Sequence, residues 1–306
     1  MPRKKLNKPR KIEEESMFEN KVITADKKTA PRPFILPPRG IVHRTRGHRQ
    51  GPITRLMSPG DLGKIIKPFV FLDLAEFEPG PRIPMESMWH PHSGIATVTV
   101  MLEGGVRIAE TTGKNGVLPK GSVEYMRAGN GVWHTGQAEP EYMKAFQLWV
   151  ALPPELENGP NGSHYLMPSE VPAEGPVRVI LGSYGGAKSP IELQGMNYLS
   201  VSLEAGERWT YEPPQGHDVA WVAVHEGVLR TPTAVPKGEI AIFEPSEQPI
   251  EFVAEGKTGF VVASAVKHPH PLFLGNYSVH TSAGTLRRGE EEIRRIGREL
   301  RAKGTI

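Results

Sequence analysis

From Ile41 onward, apolar and polar residues alternate in short runs. Thr97 to Leu102 places Val98, Val100 and Leu102 on one face, and Phe146 to Leu152 does the same with Phe146, Leu148, Val150 and Leu152. Tyr198 to Leu203 sets Leu199, Val201 and Leu203 against Ser200 and Ser202. Successive side chains of an extended chain point to opposite sides, so a period of two predicts half-buried strands. Glycine and proline clusters divide these runs at short intervals, as the turns of a sandwich or barrel would. A strong helical pattern occurs only at the end. Leu286, Ile293, Ile296 and Leu300 recur at spacings of seven, three and four with Glu and Arg on the other faces, which predicts an amphipathic helix docked on the β body. Its charges read as a solvated face with pairs four residues apart.

A weak internal repeat runs through the strands. Met101-Leu-Glu-Gly-Gly-Val106 has a counterpart in Val224-His-Glu-Gly-Val228, offset by 123 residues, and Pro119-Lys-Gly121 has one in Pro236-Lys-Gly238, offset by 117. A strand, Glu-Gly turn, strand, Pro-x-Gly turn and strand used twice predict two similar β-barrels in tandem, for which a pair of jelly rolls is the simplest solution. The expected fold class is all-β. Its expected parts are a basic, Pro-rich arm over residues 1–40, a first barrel over 41–160, a second over 161–283 and an amphipathic helix over 284–306. Ala30 to Arg39 reads APRPFILPPR, which suits an arm extended against the body.

Composition narrows the chemistry. A chain of 306 residues can bury a sizeable core as one large domain or as two of roughly 150 residues, and its 33 Gly and 30 Pro are too turn-rich for a helical bundle. The absence of cysteine excludes disulfides, thiolate metal sites, iron–sulfur clusters and a cysteine nucleophile, so any metal must use His, carboxylate, amide or water. The net charge of +3 hints at nucleic acid until the charges are located. Residues 1–12 hold six basic and no acidic residues, and residues 287–303 hold seven basic against four acidic, which leaves −6 for residues 13–286. Direct nucleic-acid binding is therefore not expected. No apolar stretch follows the first charges and no run is long enough to span a bilayer, so a soluble cytoplasmic protein without membrane contact is expected.

Two His-x-His pairs carry candidate chemistry, His90-Pro-His92 and His268-Pro-His270. Residues i and i+2 of a strand share a face, which brings two imidazoles toward one metal. Eleven His in 306 residues give about 0.4 such pairs by chance, so context must separate them. The first pair precedes a well-formed strand and is followed by Gly129-Asn-Gly-Val-Trp-His134, whose glycines can turn a later strand back beside it. Three imidazoles would then face one barrel interior, an arrangement suited to Fe(II), Mn, Ni, Cu or Zn; satisfied or surface histidines are the competing reading. The second pair is flanked by prolines and reads as a surface turn. Registering the two repeats puts Pro213 and Gln215 opposite His90 and His92, and Glu251 opposite His134, so no equivalent set is expected in the second barrel. Trp89 and Trp133 should point away from the ligand face as packing residues. The chain has no Gly-x-Ser-x-Gly elbow and no phosphate loop.

Five segments together resemble the pirin family of bicupins: Trp89-His-Pro-His-Ser-Gly94, Thr97-Val-Thr-Val-Met-Leu-Glu-Gly104, Thr112 to Gly121, Tyr125 to His134 and Phe146-Gln-Leu-Trp-Val-Ala-Leu-Pro153. Ile53 to Met57, Pro68 to Asp73 and Gly275 to Thr281 also look like the pirin pattern. The resemblance spans roughly residues 40–282 and is most specific in the first half. It implies two stacked cupin barrels with a metal, usually iron, in the N-terminal one. Some pirin-like proteins cleave flavonols such as quercetin with dioxygen, and others are redox-sensitive regulators that bind protein partners.

The family's ligand histidines match His90, His92 and His134. Its fourth ligand, a Glu two residues after the third His, is replaced here by Gly136. Three neutral imidazoles leave a dication's charge uncompensated, so the resemblance implies weaker metal binding, or an anionic substrate or hydroxide completing the shell. Gln137 is the candidate fourth ligand, with Glu139, solvent or substrate as alternatives. A carboxylate near the metal that would take a substrate hydroxyl proton is also lost, and the cupin acid four residues after the second His is Ala96. The leading expectation is a metal-dependent dioxygenase for a small-molecule substrate, quercetin-like or otherwise enolic, with Fe(II) first and Zn, Mn, Ni or Cu as the other metals. The alternatives are a non-enzymatic metal-dependent regulator that binds a protein partner, and a degenerate cupin that holds no metal.

Overall fold

A computed structural model describes residues 38–81 and 84–306, so most of the expected arm lies outside the described residues. The first half of the chain forms β1 (Ile41–Thr45), β2 (His48–Gln50), β3 (Ile53–Met57), β4 (Phe69–Phe77), β5 (His90–His92) and β6 (Ile95–Glu103). It continues through β7 (Gly105–Glu110), β8 (Asn115–Pro119), β9 (Val123–Ala128), β10 (Val132–Ala138), β11 (Met143–Ala151) and β12 (Gly162–Leu166). Two antiparallel sheets result, a seven-stranded one in the order β12-β9-β6-β11-β4-β3-β2 and a four-stranded one in the order β5-β10-β7-β8.

The second half repeats the plan. Its seven-stranded sheet runs β1, Glu239–Phe243, Val219–Glu226, Thr258–Ala265, Met196–Leu203, Val177–Leu181, Ala173–Glu174, and its four-stranded sheet runs Arg208–Tyr211, Ile250–Ala254, Val228–Thr231, Thr233–Pro236. Seven strands facing four, used twice, make the tandem jelly rolls that the internal repeat predicts.

The chain crosses between the barrels at both ends of the first. Strand β1 pairs with Glu239–Phe243, so residues 41–45 complete the second barrel rather than the first. Arg39, just before it, is buried there and donates to the carbonyls of Glu244 (2.8 Å) and Asp218 (2.7 Å). Strand β12 pairs with β9 and carries the first barrel on to Leu166. A five-residue edge strand is compatible in pattern with either sheet, and only the pairing decides which.

The alternation is correct, but its faces differ between the barrels. Ala96, Val98 and Val100 of β6 and Phe146, Leu148 and Val150 of β11 pack outward against Tyr198, Trp221 and Ile242 in the core between the two large sheets. Their intervening residues, among them Thr99, Met101, Gln147 and Trp149, line a cavity inside the first barrel. Both faces of these strands are therefore covered, where the pattern predicts half-buried strands. In Met196–Leu203 the aliphatic set Leu199, Val201 and Leu203 points inward instead and meets Trp209, Phe252 and Phe260. The second interior is filled with apolar side chains, and the first carries polar groups.

The C-terminal helix, Ala283–Ala302, begins at a capping box in which Ser282 and Thr285 satisfy each other's backbone N–H groups. Its buried stripe is Gly289, Ile293, Gly297 and Leu300, while the predicted Leu286 and Ile296 are only half-buried. The glycines allow close approach: a Cβ on Gly297 would stand 2.7 Å from the Trp133 ring, and the Trp133 Nε1–H donates to the carbonyl of Ile293 at 2.7 Å. Arg295 pairs with Glu292 and Glu299, and Arg294 with Glu290, on the solvated faces. Among the described residues, no helix is long and apolar enough to cross a membrane.

Candidate metal centre

The site is assembled by strand register. In the four-stranded sheet β5 lies antiparallel to β10, with His90 directly opposite His134 and His92 opposite Val132. Gly131, at a φ of 95°, makes the turn that returns β10 beside β5. His90 and His92, two residues apart, share the inward face. One donor nitrogen from each of the three histidines falls within 4.8 Å of the others.

The partners of the rings settle which nitrogen faces inward. His90 Nδ1 lies 2.9 Å from the Met88 carbonyl and His92 Nδ1 lies 3.1 Å from the Tyr277 carbonyl, so each Nδ1 carries the proton and donates. His134 Nδ1 faces Glu124 Oε1 at 3.8 Å. The Nε2 atoms of His90 and His92 are thereby left with their lone pairs. His90 Nε2 and His134 Nε2 are 3.0 Å apart, and His92 Nε2 is buried with no hydrogen-bond partner. Burial pushes all three imidazoles below their usual pKa, reinforced at His92 by His90 and at His134 by His90 and His92, while backbone carbonyls partly oppose it at His90 and His92. Three neutral rings whose Nε2 atoms converge, each able to turn a lone pair inward once its proton sits on Nδ1, form a donor set that fits a divalent transition metal.

Gln137 does not join them. In the alternation of β10 it falls on the face opposite His134, and it is not among the residues lining the cavity. Gly136 shares the histidine's face and carries no side chain. Glu139 pairs with Arg107 at 3.5 Å. Trp133 points away from the ligand face to the C-terminal helix, as predicted. His268 and His270 lie together outside this cluster. His268 is buried, with Nε2 3.4 Å from the Leu152 carbonyl, where the prolines suggest a surface turn.

The second barrel's register differs from the one read from the repeat. There Trp209 lies opposite Phe252 and Tyr211 opposite Ile250, as His90 lies opposite His134 and His92 opposite Val132. Trp209, Tyr211 and Phe252 thus hold the ligand positions, and Glu251 points to solvent. Turn lengths differ between the repeats, so counting from turn markers shifts the register by four residues at His90 and His92 and by one at His134.

A carboxylate does reach the site, from a strand that sequence reasoning passed over. Glu124 on β9 is 1% exposed; Thr99 donates to its Oε2, and its Oε1 has no hydrogen-bond partner. Burial, with repulsion from Glu110, pushes its pKa up to about 7 against the Thr99 bond. Glu124 belongs to a polar row across the large sheet. Arg55 lies opposite Asp73, Asp73 opposite Gln147, Gln147 opposite Thr99 and Thr99 opposite Glu124. Arg55 binds Asp73 through two bonds of 2.5 and 3.0 Å. Among the described residues, the Gln147 side chain makes no hydrogen bond.

The cavity above this row has a volume of about 460 Å³ and is otherwise mostly apolar, with Met88, Met101, Met143 and Ile108 in its lining. One wall is a stack. Arg55 lies 4.1 Å over the Phe71 ring, Phe71 stacks on Trp149 with centroids 4.0 Å apart, and Trp149 meets the His92 ring edge-on at 4.8 Å. Tyr277 stands with its ring 6.1 and 6.2 Å from those of His90 and His92.

A double jelly roll with three inward histidines in one barrel defines the class: a two-barrel cupin with a candidate metal centre. The sequence profile of the Pirin family matches residues 40–150. A pirin-like protein of Caulobacter vibrioides is 34% identical over 189 residues, which cover 58% of this chain and 67% of that protein. The crystal structure of a quercetin 2,3-dioxygenase from Acinetobacter baumannii has a TM-score of 0.73 and 25% identity, covering 85% of this chain and 96% of that one. The bacterial pirin YhhW from Escherichia coli, solved in complex with nickel(II), shares the fold at a TM-score of 0.58 and 17% identity, over 75% of this chain and 96% of its own. The chain belongs to the pirin family.

Proposed function

We propose that the first barrel is a metal-dependent dioxygenase acting on quercetin-like or other enolic substrates. The observation that carries this reading is the convergence of three neutral imidazole nitrogens on an apolar cavity of about 460 Å³, within the range of small-molecule sites. The likeness to the Acinetobacter enzyme supports the substrate class. His90, His92 and His134 would hold the metal, Fe(II) first and Mn, Ni, Cu or Zn otherwise. When bound, it supplies Lewis acidity and, if redox-active, one-electron chemistry with dioxygen.

The protein's own groups do the rest. Phe71 and Trp149, stacked on each other, give the cavity a rigid aromatic wall, and the methionines line it with apolar surface that excludes water. Gln147 presents an amide to substrate hydroxyl and carbonyl oxygens, which fixes the ring's orientation relative to the histidines. Anaerobic loading with Fe(II), followed by oxygen-electrode measurement with quercetin, tests the reading. Uptake above that of the metal-free chain, lost in His134→Ala, is expected; uptake equal to the metal-free control contradicts it.

A further inference from the structure

We propose that Glu124 is the carboxylate partner of this metal site: a positioning residue that holds His134 through its Nδ1–H and supplies the negative charge absent at Gly136. The proposal rests on the metal-site reading above and deepens it. Of the three histidines, His90 and His92 have their Nδ1–H groups held by backbone carbonyls. His134 has no such carbonyl, and the group facing its Nδ1 is Glu124 Oε1 at 3.8 Å. That oxygen is buried and makes no hydrogen bond.

The other oxygen is pinned by Thr99, directly opposite on β6, so the carboxylate is aimed rather than free to rotate. Thr99 and Glu124 both line the cavity. Because Nδ1 and Nε2 lie on different sides of the ring, Glu124 approaches His134 from the side away from His90 and does not compete for the ion. At 3.8 Å the contact is longer than a hydrogen bond, and the proposal requires the carboxylate and the ring to close by several tenths of an ångström when the ion binds. A carboxylate behind a ligating imidazole fixes its tautomer and raises its basicity, and such outer partners contribute ten- to hundredfold in metal affinity. The charge that a ligand on β10 would have supplied directly is thus delivered from β9 through one ring.

The test uses the untagged full chain and Co(II), followed by its visible ligand-field absorption at pH 8. Glu124→Gln keeps the shape and an acceptor for Thr99 but removes the charge. It is expected to weaken Co(II) binding about tenfold or more and to shift the absorption bands. Thr99→Val, which unpins the carboxylate, is expected to give a smaller loss in the same direction, and it carries the test if the Gln variant does not fold. Wild-type affinity and spectrum in both variants, with uptake still lost in His134→Ala, overturn this proposal alone. A wild-type chain that takes up no Co(II) overturns the metal-site reading and this proposal with it.

Discussion

His92 Nδ1 lies 3.1 Å from the carbonyl of Tyr277, a residue 185 positions further along the chain. The candidate metal centre of the first barrel is thereby held by a segment that follows the last strand of the second. The next residues on each side bond as well: Ser93 donates to Ser278 at 2.8 Å, and Ser93 Oγ lies 3.0 Å from His280 Nε2. Thr281 donates to both oxygens of the buried Glu157.

The C-terminal helix closes over this network at Gly289, where a Cβ would stand 2.5 Å from Ser93 Oγ and 2.6 Å from His280 Nε2. Gly289→Val should therefore push the helix from Ser93 and cost about 1–3 kcal/mol, as overpacking does. It should also lower metal affinity by disturbing His92. Gly284→Ala, with its nearest neighbour 3.9 Å from the new carbon, is the control and should leave both unchanged or slightly raise stability. Denaturant midpoints and metal titrations of the two variants check the pair; equal behaviour would detach the helix from the site.

Gly136 offers the opposite experiment. A Cβ there meets only Val106 Cγ2, at 3.5 Å, an ordinary contact. Gly136→Glu places a carboxylate two residues from His134 on the same face, and competition titration should show tighter metal binding than in the wild type. Unchanged affinity would mean that the site does not lack charge at that point.

Gln147 faces the cavity without a hydrogen bond of its own, so its replacement by Leu should spare the metal and harm the substrate. One lost neutral hydrogen bond amounts to about 0.5–1.5 kcal/mol. A severalfold fall in kcat/KM with quercetin at unchanged iron content is expected, measured by steady-state oxygen uptake. A variant as active as the wild type would remove Gln147 from substrate recognition.

Stability should fall on acidification. Burial pushes His280 down to about 4 against the pull of Glu157, and pushes His225 down to about 3 with Lys144 and Lys237 adding to the effect. In the unfolded chain both titrate near 6.5, so between these values the unfolded state binds more protons. Their contribution is complete above about pH 6.5 and is lost as the pH falls toward 4 for His280 and toward 3 for His225. Urea unfolding of the metal-free chain at pH 7.5 and pH 5 should show the loss, and His280→Asn should reduce it. An identical difference in the variant would place the acid sensitivity elsewhere.

The histidines are legible in the sequence because their spacing is local. His90 and His92 stand two apart in one strand, and Gly129 and Gly131 announce the turn that brings His134 back. The double barrel is legible from a repeat of turns. Glu124 is not, because only the pairing of β9 with β6 sets it opposite Thr99 and beside His134. The same holds for β1, whose five residues suit either sheet, and for Trp209 and Phe252, whose register depends on hairpin lengths that turn markers do not reveal. Gln137 shows the reverse: near His134 in sequence, it is turned away from it by the pleat.

The central claim is that His90, His92 and His134 hold one divalent metal, and the most direct measurement is the metal content of the untagged chain after anaerobic reconstitution with Fe(II) and removal of excess ion. About one equivalent per chain is expected in the wild type, falling close to zero in His90→Ala and His134→Ala. A wild-type content far below one, or variants that retain the wild-type content, would contradict it.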